Sequence, residues 1–275
     1  MKPNRQDKYR VLLITFTCLI IISAGMLLIN YTKYKIEQKE LEQLSTVVST
    51  NEISSSTKEN DRAENTTIEE NIVDSKDGVD PVQKILPQYA SLYEENPDLF
   101  GWIRIEGTVI DYPVMFSPDN EEFYLHHSFD LSESQCGLPF LDADCSNDGF
   151  IYLLYGHHLI NGSMFSAITK YADATFLKEH PTISFDTLYE EGEYQVFAAF
   201  YSRVYYSNET NVFRYYRYTD LSDSVIFDEY LEQVKTASLY DMDIEISYGD
   251  TLLVLTTCNY HTENGRFVIV AKKIG

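Results

Sequence analysis

The stretch from Val11 to Ile29, VLLITFTCLIIISAGMLLI, runs for 19 residues without a charge or a proline. A helix rising about 1.5 Å per residue would make it about 28 Å long, enough to cross the hydrocarbon core of a bilayer. A cleavable signal peptide is the competing reading. Its apolar region would be shorter, about 7–15 residues, and would lead into a small-x-small cleavage site. Here the run ends in Asn30, Tyr31, Thr32 and Lys33, which offer no such site. The segment therefore reads as an uncleaved transmembrane anchor over residues 11–30. Lys2, Arg5, Lys8 and Arg10 precede it, against Lys33, Lys35 and Lys39 after it. Basic flanks favour the cytoplasmic side, so residues 1–10 are expected to be a cytoplasmic tail, with the rest of the chain outside the cell.

Charge supports that separation. The formal net charge is -22, yet residues 1 to 35 hold six bases and one acid, leaving 15 bases and 42 acids beyond them. A body this acidic repels nucleic acid and anionic headgroups alike. Nucleic acid is thus excluded as a partner, and the membrane is reached only through the N-terminal helix.

Residues 31–80 are expected to be a largely disordered extracellular stalk. Leu41, Leu44 and Val48 can line a short helix, but the segment STNEISSSTKENDRAENTTIEEN is polar and acidic. The folded domain is expected over 81–275. Gln88 to Glu95 reads as a short helix ending at Asn96-Pro97. Eight strand-like runs follow, rich in Val, Ile, Phe and Tyr and separated by turn signals. They are Trp102–Glu106, Val109–Met115, Leu138–Leu141, Phe150–Tyr155, Thr182–Leu188, Tyr194–Tyr206, Thr251–Cys258 and Phe267–Lys272. Two helical stretches interrupt them: Ser163 to Tyr171, with Ser163 as its cap, and Ser224 to Thr236. Eight short strands with few helices predict an all-β sandwich or barrel.

Four cysteines are too few and too scattered to be a disulfide framework. A Cys136–Cys145 bridge is open in an oxidising compartment, though nothing in the spacing demands it.

The densest chemical signal is DTLLVLTTCNYHTENGRFVIVAKK. Thr251 to Cys258 reads as a buried strand, Asn264-Gly265 as a turn, and Arg266 opens a second strand. If the two pair as a hairpin, Cys258 and Arg266 sit side by side at its mouth. A neighbouring cation favours the thiolate, and a guanidinium can hold a developing oxyanion. A buried structural cysteine beside a surface arginine is the alternative that this segment alone leaves open.

The second signal is GFIYLLYGHHLINGSMF, where an apolar strand runs into Gly156, His157 and His158. A nucleophilic cysteine needs an acid–base partner displayed in this way. A solvated histidine pair is the bland alternative. His126, His127, His157, His158 and Cys258 also contain zinc-ligand types. They form adjacent pairs rather than i, i+4 pairs, and no CxxC occurs, so no metal is expected.

Leu255-Thr256-Thr257-Cys258, the later Arg266 and the earlier Gly156-His157 together resemble the sortase family, which carries a Thr-Leu-x-Thr-Cys strand, a following Arg and a preceding Gly-His. SLYEENPDLFGWIRIEGTVIDYPVM, YGHHLINGSMF and the helix over 224–236 resemble its class B members. The resemblance runs from about Val82 to Lys273. It implies a closed antiparallel eight-stranded β-barrel with a few peripheral helices, and a cofactor-free cysteine transpeptidase. Cys258 would attack the Thr–Gly or Thr–Asn bond of a C-terminal sorting signal on a secreted protein. His157 would protonate the leaving amine and Arg266 would stabilise the oxyanion. An amine from a peptidoglycan cross-bridge, or from a pilin, would resolve the thioester. By the same analogy Thr257 contacts substrate. Some class B members carry an acid after the cysteine; this chain has Asn259 there, so no carboxylate help is expected at that position. A hydrolytic cysteine peptidase and a non-catalytic surface-binding module remain the alternatives from other classes.

Overall fold

The protein is described from a computed structural model, over residues 5–63, 83–146 and 149–275. These fall into two compact units, one ending at Gln43 and one spanning Leu44–Gly275. Helix α1 (Arg5–Ala63) is long and apolar enough to cross a membrane. Leu12, Phe16, Leu19, Ile22 and Leu27 on it are all exposed.

Residues 31–63 are helical, where a largely disordered stalk was expected; residues 64–80 lie outside the described ones. Composition failed here because the ordering contacts lie far away in sequence. Val48 is fully buried. Ser45 Oγ donates to Asp111 Oδ2 at 2.5 Å, Asn51 Nδ2 donates to the Gln88 carbonyl, and Glu52 lies 3.8 Å from Arg104. The second unit therefore begins near residue 44 rather than near 81.

After helix α2 (Ala90–Glu95), each of the eight expected runs overlaps a strand: β1 (Leu99–Arg104, starting three residues before the expected run), β2 (Asp111–Met115), β3 (Phe140–Leu141), β4 (Ile151–Tyr155), β5 (Thr182–Thr187), β6 (Glu193–Arg203), β7 (Leu252–Cys258) and β8 (Gly265–Lys273). They close into a barrel in the order β1-β2-β3-β4-β7-β8-β6-β5. The barrel is mixed rather than wholly antiparallel, because β2 pairs parallel with β3 and β4 pairs parallel with β7. Parallel neighbours need a long crossover. The chain makes one between β4 and β7 by way of β5, β6, α3 (Ala174–Glu179) and α4 (Ser224–Ala237).

That crossover places the chemistry. Parallel strands end at the same edge, and Tyr155 lies opposite Thr256. The Gly156-His157 and Thr257-Cys258 segments thus leave the barrel together. An antiparallel pairing would have sent them to opposite ends.

Strand β7 is buried from Leu252 through Thr257. Both its faces are covered, since a 3₁₀ helix (Phe165–Ala172) packs outside β7 and β8. A strand covered on both sides reads as a continuous apolar run. The 3₁₀ helix replaces the helix expected over 163–171, and Ser163 does not cap it. The Ser163 hydroxyl instead donates to Asn161 Oδ1 at 2.8 Å, and Met164 takes a positive φ of 53° at the helix start. Helix α4 packs on β6 and is capped by Asp223, which accepts from the Val225 and Ile226 amides.

Candidate active site

The hairpin β7–β8 pairs Cys258 directly with Arg266. Directly opposed residues in an antiparallel pair project to the same face with Cβ atoms about 4.5–5.5 Å apart. The turn between them is built from its sequence. Asn264 adopts the left-handed conformation with φ 54°. Gly265 passes so close to the Asn259 carbonyl that a Cβ would lie 2.1 Å from its oxygen. The Asn259 amide donates to the Gly265 carbonyl at 2.9 Å. Arg266 Nη1 donates to that same carbonyl at 3.0 Å, which fixes where the guanidinium begins.

The histidine side is held by a different set of bonds. The Gly156 amide donates to the Thr256 carbonyl at 3.2 Å, and Thr257 Oγ1 donates back to the Gly156 carbonyl at 2.7 Å. Gly156 lies under the Phe165 ring, where a Cβ would fall 2.5 Å from it. The Phe165 amide donates to the His157 carbonyl at 2.9 Å. His157 Nε2 lies 2.9 Å from the Leu125 carbonyl. A carbonyl only accepts, so Nε2 carries a proton and Nδ1 is the nitrogen left for other work. His158 Nδ1 donates to the carbonyl of Cys258 itself at 2.8 Å.

Beneath the strand ends lie neutral phenols. Tyr215 Oη and Thr256 Oγ1 are 2.7 Å apart and buried. Burial holds the Tyr215 phenol well above its usual range. Tyr155 donates to Asp142 Oδ2 at 2.8 Å; burial first, and the Asp142 carboxylate next, keep it protonated. Neither adds charge to the site at ordinary pH.

Cys258, His157, Arg266 and Thr257 all line one cleft of about 320 Å³. The four residues singled out in the sequence are therefore brought together. Glu121, Glu122, Leu125, Phe140, Asp142 and Tyr155 line it too, and sequence reasoning did not find them. Leu125 contributes through a backbone carbonyl, which leaves no mark in sequence. Tyr155, immediately before Gly156-His157, was the nearest available hint. Thr257 is buried, and its hydroxyl proton is committed to Gly156.

The other cysteines are unlike Cys258. Cys136 and Cys145 are both buried, and no disulfide joins them. Burial pushes the Cys145 thiol up to about 12, leaving it unreactive. Cys18 lies exposed on α1, while Cys258 is partly exposed in the cleft opposite a guanidinium. Among the described residues, no group of three or more His, Cys, Asp or Glu side chains is arranged to hold a metal ion.

No family model matches the sequence. Individual relatives do. Sortase B of Listeria monocytogenes is 33% identical over 196 residues, covering 70% of this chain and 76% of that protein. Sortase B of Staphylococcus aureus is 30% identical over 196 residues, covering 70% and 77%. The solved complex of Staphylococcus aureus sortase B with substrate superposes with a TM-score of 0.68 at 25% identity, covering 88% of this chain and 98% of that one. Identity at this level, sustained over three quarters of each curated relative and joined to the same closed barrel, goes beyond a shared architecture: the chain belongs to the sortase B family of cysteine transpeptidases.

Proposed function

We propose that Cys258 is the nucleophile, that His157 is its acid–base partner, and that Arg266 holds the oxyanion. The observation that carries this reading is the direct cross-strand pairing of Cys258 with Arg266 inside the cleft that His157 also lines. The thiolate attacks the carbonyl after the threonine of a C-terminal sorting signal on a secreted protein. Charge develops on the carbonyl oxygen, and the guanidinium donors not used by the Gly265 carbonyl meet it. His157 Nδ1 delivers a proton to the departing amine, with Nε2 anchored on Leu125. The acyl group then rests on Cys258 as a thioester. An incoming amine, from a peptidoglycan cross-bridge or another protein, gives up a proton to His157 and takes the acyl group as an amide. Thr257, with its hydroxyl proton engaged, would touch substrate through its methyl group or its free lone pair.

The apolar part of α1 would span the cell membrane with the N-terminus cytoplasmic and the barrel outside, where secreted substrates emerge. Deleting residues 1–43 should move the protein from the membrane fraction to the soluble one; persistence in the membrane fraction would refute the anchor.

The reaction is tested by incubating the protein with a panel of sorting-signal peptides, with and without triglycine or a cross-bridge mimic, and weighing the products. Water stands at about 55 M, so an amine prevails only by being bound and oriented. Amide product that depends on added amine supports transpeptidation. Free acid alone, across several amines, would assign a hydrolytic peptidase to the same cleft.

A further inference from the structure

We propose that His158, the second histidine of the loop, is a positioning residue that holds the nucleophile strand in register with the His157 loop. The inference rests on Cys258 being the nucleophile.

The parallel pair β4–β7 ends with Tyr155 opposite Thr256, and its last backbone rung is the Gly156 amide on the Thr256 carbonyl. In a parallel ladder the bonds repeat at every second residue. The next carbonyl facing β4 is that of Cys258, and its partner would be the backbone amide of residue 158. The chain has turned away by then. His157 and His158 pair instead with Phe165 and Met164, through the Phe165 amide and an antiparallel bridge. The His158 ring fills the vacated rung: its Nδ1 lies 2.8 Å from the Cys258 carbonyl. A carbonyl cannot donate, so Nδ1 carries the hydrogen.

Three bonds therefore stitch the two catalytic segments together, at the Thr256 carbonyl, the Thr257 hydroxyl and the Cys258 carbonyl. Only the last reaches the nucleophile residue itself. On its far side, Cys258 pairs with Arg266. The nucleophile's backbone is thus held between the hairpin partner and the His158 ring, and Tyr260 tilts against that ring at 5.7 Å between centroids. Without the ring, the end of β7 is tied on one side only, and the thiol drifts from the guanidinium and the His157 ring.

Two side chains separate this role from general packing. Asparagine places its amide nitrogen about where Nδ1 stands, whereas glutamine reaches to the Nε2 position. The full-length protein in detergent is compared with His158→Ala, His158→Asn and His158→Gln. Three quantities are read: kcat and KM for peptide transfer to triglycine, the rate of Cys258 alkylation by iodoacetamide, and the melting temperature. For His158→Ala we expect kcat to fall on the order of 10- to 100-fold, the scale of a small misplacement of reacting groups, with KM little changed. Alkylation should slow several-fold as the thiol leaves its cation. His158→Asn should recover most of both, and His158→Gln should not. An alanine variant with wild-type kcat and alkylation rate overturns the proposal. So does an asparagine variant that melts like the wild type yet performs no better than alanine. Alkylation is read on the thiol itself, so it tests the contact even if no peptide is transferred. A wild type that transfers nothing counts against the proposed function instead.

Discussion

The two walls of the cleft are built on different principles. The hairpin wall carries Cys258 and Arg266 on consecutive strands joined by a six-residue turn, and backbone register alone sets them opposite each other. The loop wall carries His157 on a segment that has left the sheet. It is fixed by single contacts: the Leu125 carbonyl on one ring nitrogen, the Phe165 amide on the backbone, and the Thr257 hydroxyl behind. A ladder is redundant within the strands, so losing one bond there leaves its neighbours in place; only the end of β7, at Cys258, also leans on the loop through His158. A ring held by a single hydrogen bond has no such reserve. Variants in the hairpin wall should thus act through the chemistry of the group removed, and variants in the loop wall through geometry.

The largest expected effect is Cys258→Ala. Transfer and cleavage should both fall to background in the peptide assay, because no other group in the cleft can carry the acyl chain; amide product from this variant would rule out the nucleophile. Next is Arg266→Lys, which keeps the charge and the ladder but loses the planar donor pair. We expect kcat to drop on the order of 10²-fold, typical of losing an oxyanion donor, and near-normal rates would reduce the arginine to a structural role.

Gly156→Ala tests the loop wall. Its Cβ would meet the Phe165 ring at 2.5 Å, forcing the loop that presents His157 to move. Transfer should fall by about tenfold or more by misplacement, and Cys258 alkylation should slow as well, because the displaced loop also carries the His158 ring that holds the Cys258 carbonyl. Alkylation at the wild-type rate would show that the loop does not hold the end of the nucleophile strand. Thr257→Val removes one stitch and keeps the shape. A buried hydrogen bond contributes about 1 kcal/mol, so a roughly five-fold loss in transfer is expected.

The smallest effect lies outside the cleft. Asp186 accepts from Tyr89 Oη at 2.6 Å and from the Gly192 amide at 3.0 Å. Burial raises its carboxyl above the usual range, and these hydrogen bonds oppose the rise. The folded state therefore holds the proton more tightly than the unfolded one. The stability this lends is present below the ordinary carboxylate range and is lost as pH rises through the raised folded value. Asp186→Asn removes that slope. Melting curves should show its stability relative to wild type improving as pH climbs from about 4 toward neutral, with transfer activity unchanged. A pH-independent difference would mean the carboxyl is not raised.

The hairpin wall was legible in the sequence down to its pairing, while the loop wall yielded its histidine but not what anchors it, for the same reason that separates their chemistry. Thr251–Cys258, Asn264-Gly265 and Arg266 lie within 16 residues, and the pairing of Cys258 with Arg266 follows from strand period and turn length. The histidine could be named from its place after an apolar strand. Its anchor could not, since Leu125 acts through a carbonyl 32 residues earlier. The glutamates at 121 and 122 and the Tyr155–Asp142 pair were missed likewise, because contacts between distant segments bring them to the cleft.

By itself the sequence determined the eight strands, the long apolar helix and four of the residues that line the cleft. The strands and the helix depend on side-chain periodicity and on neighbours close along the chain, and the four cleft residues on the family motifs they resemble. Tertiary structure alone decided that β4 and β7 run parallel, that residues 44–63 are helical with Val48 buried, and that Cys136 and Cys145 stay as separate thiols. Each of these depends on which distant segments meet. Local pattern states what a segment can bury, and only the closed barrel states against what.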